Sequence, residues 1–434
     1  MAPHEFQAST LCHETTEGSS EQRYPLYTLK AIHSDSQPYI VTFDSLGAAS
    51  HVWSAQSGQF THVTELKPAL PGAILAHRAS ITYCPSMSVL VIGFELPVSL
   101  RPDQEDKPAV LRLYPIPKGI LLQELELPGR LALGTSPFRC SSFHIAAAVA
   151  VPVPQIIVYN AQTSACQEVL RIPASLQSET LLPIYIQDTE NDFVLVTSTT
   201  NVPSSTLLLR AHTHQGEKSS VKLDRPEDLV DWLRPGHAVK LTENAIALYV
   251  TETHSSNDHR LDSATSMICV IAVPDLAISW KKNFDFRINK ITSHSSLNSL
   301  VVLGEQGQHG DSVSTSVISF LSIQDGSIMR TESFLYQPGV FLSARCTSAD
   351  ELLIVTKTGG LCVTSLKSIL DEGFRDKDDE GFVITRPSPL RPDPYNAKAR
   401  KAGDGWKWVE QCIIYSKGVI LLPSRGTEIY AVTW

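Results

Sequence analysis

The sequence lacks the marks of several protein classes. It has no basic start followed by an apolar run, as a secretory signal would, and no stretch of about 18 unbroken apolar residues, as a membrane span requires. Its most apolar segment, Ile145 to Tyr159, is interrupted by Pro152, Pro154 and Gln155. The eight cysteines stand singly at 12, 84, 140, 166, 269, 346, 362 and 412, with no C-x-x-C pair and no N-x-S/T sequon. A disulfide framework and a cysteine-type zinc site are therefore not expected. Free, mostly buried thiols in a cytoplasmic and/or nuclear protein are. A basic excess is missing too. Lys and Arg number 36 against 45 Asp and Glu, a net charge of −9, which argues against nucleic acid or an anionic membrane as the main partner.

What is present is a large apolar share and β-type patterning. Hydrophobic residues make up 42% and charged residues 19%, enough for a sizeable core and unlike a disordered chain or a coiled coil. Length alone admits up to about three domains. The internal pattern reduces that number. Short apolar runs recur at Tyr39–Phe43, Val89–Gly93, Phe143–Ala150, Phe193–Thr197, Ala245–Val250, Leu300–Gly304, Leu352–Thr356 and Gly418–Leu422. Neighbouring starts lie about 50 residues apart, stretching to about 66 at the last, the range of propeller blades. Each run is followed by a second one, as in His51–Ala55, Val110–Tyr114, Ile156–Asn160, Leu361–Leu366 and Glu428–Trp434. Small polar turns then lead into a third, through Ser57-Gly58 before Gln59–Leu66 and Asp325-Gly326 before Ser327–Phe334. Trp53-Ser54-Ala55-Gln56-Ser57 and Tyr159-Asn160-Ala161-Gln162-Thr163 share one pattern, which marks a true repeat.

These repeats resemble blades of the WD40/quinoprotein-like β-propeller superfamily over about Tyr24 to Trp434, with Trp53-Ser54, Tyr114-Pro115 and Tyr159-Asn160 where such blades end their third strand. No Trp-Asp stands there, and the Gly-His hallmark occurs only as Gly236-His237, so the resemblance is to a divergent member. It implies an all-β fold, a single β-propeller with eight blades favoured and seven as the alternative. The last repeat stops after its third strand, so an N-terminal strand is expected to close the ring: Glu5–Leu11, or else Tyr24–Ile32. Residues 1–23 are accordingly a tail, either flexible or supplying that strand. Residues 24–434 form the propeller, with a charged, Pro-rich insertion at 371–405. One helix is expected, Pro226–Leu233, with Asp224 near its N-cap and Pro235-Gly236 as its stop.

In this topology the links from second to third strand open on the same face as the links between blades. Pro97–Ala109, Thr251–Thr265, Glu305–Ser316, the shorter Ser198–Ser205 and the basic, Pro-rich stretch Arg386–Gly405 all fall on that face. Long links on a rigid scaffold point to a binding face. The residues expected to touch a partner are Asp258, His259 and Arg260 in one link, His309 and Asp311 in the next, and Arg391, Arg400 and Lys401 in the basic stretch.

Chemical motifs are weaker than their bland readings. Asp376–Gly381 begins like a calcium loop, but Pro387 stands where the bidentate Glu is required, so a solvated acidic turn is expected. His212 and His214 share a strand and lack a third ligand of matching spacing, which makes them surface residues rather than a metal pair. There is no G-x-S-x-G, no phosphate loop and no H-E-x-x-H. No catalytic, cofactor-binding or metal-ligating residue is assigned, and no cofactor is expected. The reading is a non-enzymatic scaffold or adaptor subunit whose partners are other proteins or peptides. The alternative is a lactonase- or hydrolase-like propeller enzyme with its site at the channel mouth, since such sites are built from single residues on different blades.

Overall fold

The computed structural model describes residues 7–12, 27–32, 39–43, 50–56, 59–66, 74–75, 81–84 and, with short interruptions, 87–433 apart from 96–108, 162–169, 225–231, 254–265, 308–313 and 373–408. Within them the chain forms eight antiparallel sheets in chain order, arranged as a single all-β propeller. Every apolar run recognised above is the second strand of a sheet, from Tyr39–Phe43 in the first to Gly418–Pro423 in the eighth. The runs following them are the third strands, from Ser50–Gln56 to Glu428–Thr433.

These central strands are apolar along their whole length rather than alternating because both faces are covered. Val110–Pro115, Ser266–Ala272 and Glu351–Thr356 are buried almost residue for residue, whereas the outer strand Ile278–Phe284 is largely exposed. Apolar clusters fill the gaps between consecutive sheets. One joins Val41, Val52 and Leu66 of the first sheet to Leu90 and Ile92 of the second. Another joins Leu353 and Leu361 of the seventh to Val419 and Leu421 of the eighth. At the remaining seam Gln7–Cys12 meets the outer strand of the first sheet, Gln59–Leu66.

Gln7–Cys12 supplies the outer strand of the eighth sheet. It pairs antiparallel with Glu428–Thr433 in the register Gln7 to Thr433 and Cys12 to Glu428, so the first residues of the chain satisfy the backbone edge left by the last. Tyr27–Ile32, the other candidate, is the inner strand of the first sheet.

Three expectations need correction. The blade count is seven, the alternative, rather than the favoured eight: seven sheets carry inner, second, third and outer strands, while the seventh sheet in chain order has three among the described residues. Helix Leu366–Glu372 follows its third strand, where an outer strand would begin. Leu366 and Ile369 bury into the apolar cluster between the sixth and seventh sheets, and Arg330 donates to the carbonyl of Leu370 at 3.3 Å. A buried Leu/Ile pair three residues apart suits a helix, and Leu366 had read as the end of a strand. Conversely, Trp232 and Leu233 of the expected helix lie in a strand, Trp232–Pro235, paired with the far end of Ala245–Thr253. Sheet pairing overrides the local helix signals there; the rest of that segment, 226–231, lies outside the described residues. The expected hairpin at Asp325-Gly326 is present. Gly326 has φ +70°, Asp325 accepts from the Ser327 amide at 3.0 Å, and Trp280 of the neighbouring sheet packs so closely that a β-carbon on Gly326 would meet its ring at 2.6 Å.

Candidate interaction surface

The inner strands surround the propeller axis, and they share a device that the sequence reading missed. In six sheets the pairing of inner with second strand shifts by one residue, at Leu29, Ile184, Leu241, Asn289, Leu342 and Glu410. A bulge bends the strand and re-aims side chains. Four of these positions hold Leu or Ile, and the sixth sheet places Asn289 there, directly before Lys290.

Polar side chains tie inner strand to inner strand. Arg139 of the third sheet donates to the Ile184 carbonyl of the fourth at 3.1 Å. Gln187 reaches Glu243 of the fifth at 3.1 Å, and Ser293 of the sixth reaches the Lys240 carbonyl of the fifth at 3.3 Å. Lys290 donates to the Ser343 hydroxyl of the seventh at 2.5 Å, and Arg345 to the Ile414 carbonyl of the eighth at 2.8 Å. Burial lowers the Lys290 ammonium from its ordinary pKa, with Cys412 opposing and Arg345 assisting, and burial lowers Arg139 to about 10. Burial also raises the Cys412 thiol to about 11, against the pull of Lys290 and Ser343, so it is protonated and inert at neutral pH. The wall is thus tied from sheet to sheet and carries cations from several sheets.

One cluster has the three residue types of a hydrolase. Asp188 accepts from the Ser141 hydroxyl, from the Phe143 amide at 2.7 Å and from the His144 ring Nδ1 at 3.1 Å. Desolvation raises the Asp188 pKa, yet the bonds from His144, Ser141 and Phe143 outweigh it and the net shift is downward. In a catalytic triad the serine faces the imidazole, which removes its proton, and the carboxylate orients the imidazole from behind. Here serine and histidine both point at the same carboxylate oxygen. The group is a clamp between the inner hairpins of the third and fourth sheets, not a nucleophile with its base.

His212 and His214 do not form a pair. His212 is buried rather than on the surface as expected: it lies 3.2 Å from the Thr197 hydroxyl, and burial, with Arg210 adding to it, lowers its pKa to about 4. Its place on the third strand of the fourth sheet turns it into the packing between sheets. His214, in the following turn, bonds Asp192 at 2.6 Å. Among the described residues no group of three His, Cys, Asp or Glu could hold a metal ion, and no described helix is long and apolar enough to cross a membrane.

The expected partner-contact residues, Asp258, His259, Arg260, His309, Asp311, Arg391, Arg400 and Lys401, lie outside the described residues, as does the calcium-loop-like segment Asp376–Gly381. The strands that flank them are described. Residues 254–265 and 308–313 join second to third strands in the fifth and sixth sheets, and 373–408 leads into Val409–Tyr415, an inner strand. At the opposite end, in the turn before the outer strand of the second sheet, Ile120, Leu121 and Leu122 are 69%, 40% and 59% exposed, an apolar tip that the sequence reading had not singled out.

Comparison of the fold with solved structures gives the C-terminal WD40 domain of Sif2, with a TM-score of 0.54 at 10% identity over 95% of this chain and 99% of that one. The chain has the fold of a WD40 β-propeller. A prolyl endopeptidase structure follows at TM-score 0.48 and 13% identity, covering 81% of this chain and 49% of that one. The WD40 propeller domain of Doa1 gives 0.40 and 13%, covering 76% and 93%. No family model matches the sequence, and no curated protein does.

Proposed function

We propose that this WD40-like propeller is a non-enzymatic interaction scaffold, an adaptor subunit of an intracellular complex in the cytoplasm or nucleus, which holds other proteins or peptides on the loop-rich face of the ring. The observation that carries it is the combination of a closed scaffold with long links at one end: the inner strands are cross-tied from sheet to sheet, and the links of the fifth and sixth sheets spring from second strands that end on the same side. A rigid frame lowers the entropic cost of presenting such links to a partner. Asp258, His259, Arg260, His309, Asp311, Arg391, Arg400 and Lys401 are the contact residues of this proposal.

The test is co-purification from the native cell at two salt concentrations, with wild type and an R391A/R400A/K401A variant. A defined set of co-purifying chains, lost or reduced in the variant without a change in melting temperature, is the expected result. Wild type that runs alone and monodisperse at both salts would overturn the reading.

A further inference from the structure

Outside the channel and the loop face, two imidazoles meet on the outer hairpin of the first sheet. His51 lies on its third strand and His62 on its outer strand, on either side of a register shift between Val52 and Trp53 that puts Trp53 opposite His62. His51 Nδ1 and His62 Nε2 are 3.4 Å apart. That is longer than an ordinary N–H···N or N–H···O bond of about 2.7–3.2 Å. The rings are tilted by 57°, with centroids 5.5 Å apart, so they do not stack, and the two nitrogens share one long N–H···N hydrogen bond. Trp53 closes one side, its ring edge-on to His62 at 5.0 Å and tilted to His51 at 6.3 Å.

The separation has a specific chemical meaning. Two imidazole nitrogens each about 2.0–2.1 Å from one tetrahedral zinc ion stand about 3.3–3.4 Å apart. Adjacent nitrogens of a square-planar copper site would stand about 2.8 Å apart at similar bond lengths. We infer that His51 and His62 form a divalent-metal site whose separation fits zinc. Among the described residues no third His, Cys, Asp or Glu completes it, so water or a partner's side chain takes the remaining positions. Two protein ligands alone give an open, modest-affinity site. Its place in the fold matters more, because His62 lies on the strand that abuts the closing strand Gln7–Cys12 at the seam of the ring. An ion joining the third and outer strands there stabilises the hairpin against which the ring closes, by mass action on the folded state.

The experiment titrates the full chain with cobalt(II) alone, then chases with zinc, reading the visible spectrum and tryptophan fluorescence. Wild type is expected to bind one ion saturably, to develop the intense visible bands of tetrahedral cobalt, to show quenching centred on Trp53, and to lose all three signals on addition of zinc. His51→Gln and His62→Gln each remove the response, Trp53→Phe removes the quenching but leaves the bands, and His214→Gln, on the fourth sheet, changes nothing. These substitutions are at half-exposed or exposed positions, and unchanged circular dichroism confirms that the variants fold. Equal binding by wild type and His62→Gln, a weak octahedral spectrum only, or no saturation at millimolar cobalt would each overturn the proposal.

Discussion

His144 of the third sheet and Asp188 of the fourth meet through His144 Nδ1 and Asp188 Oδ2, 3.1 Å apart and buried, with side-chain exposures of 5% and 2%. The carboxylate also takes the Ser141 hydroxyl and the amides of Ser142 and Phe143. A single side chain from one sheet therefore organises the hairpin of its neighbour.

Replacing Asp188 by Ala leaves several donors buried and unpaired, and a loss of about 3–5 kcal/mol is expected in chemical denaturation. Because its folded pKa lies below the ordinary carboxylate value, the stability Asp188 supplies is present above about pH 4 and is lost as pH falls through the depressed folded value. Asp188→Asn flattens the acid limb of the stability curve, which measurements from pH 6 to pH 2 would show.

His212 gives a dependence of the same sign at higher pH. It is buried neutral, with a folded pKa of about 4 against about 6.5 unfolded. The unfolded chain takes up the proton first, so stability declines as pH drops from about 6.5 to about 4 and this contribution is flat below that. The full swing from this residue is on the order of 3 kcal/mol, and His212→Phe removes that part of the slope between pH 7 and pH 4.

Ring closure rests on the pairing of Gln7–Cys12 with Glu428–Thr433. Deleting residues 1–12 exposes the edge of Glu428–Thr433, and both a lower melting temperature and concentration-dependent self-association are expected, read by calorimetry and light scattering. A truncated chain that melts like wild type would contradict this role for the N-terminal strand.

The turn at Gly326 is constrained twice, by φ +70° and by the Trp280 ring. Gly326→Ala forces a left-handed alanine against the indole that donates to the Ile323 carbonyl at 2.8 Å. A loss of about 1–3 kcal/mol is expected, with a change in Trp280 fluorescence.

The repeat period was legible because the second and third strands are covered on both faces, which leaves continuous apolar runs such as VLVIG and LVVLG in the sequence. The inner strands carry mixed residues and a bulge, so Arg139, Lys290 and Arg345 could not be read as neighbours from spacing alone. Their proximity is a product of the ring. Trp232–Leu233 misled because Pro226, the acids after it and Pro235 give helix start and stop signals locally, while the pairing that makes a strand, Trp232 with Thr253, is distant in sequence. His212 looked like a surface residue because polarity hid its position on a buried third strand. His51 and His62 stood apart in sequence and gave no motif, since only the register of one hairpin brings them together.

The most direct test of the scaffold reading replaces 254–265 and 308–313 by Gly/Ser segments of equal length and compares co-purifying proteins, quantified against wild type, from the native cell. The account predicts that the defined partners of wild type are lost while the ring melts at an unchanged temperature. An undiminished partner set in the replaced chain, or a wild-type chain with no partners at all, would contradict it.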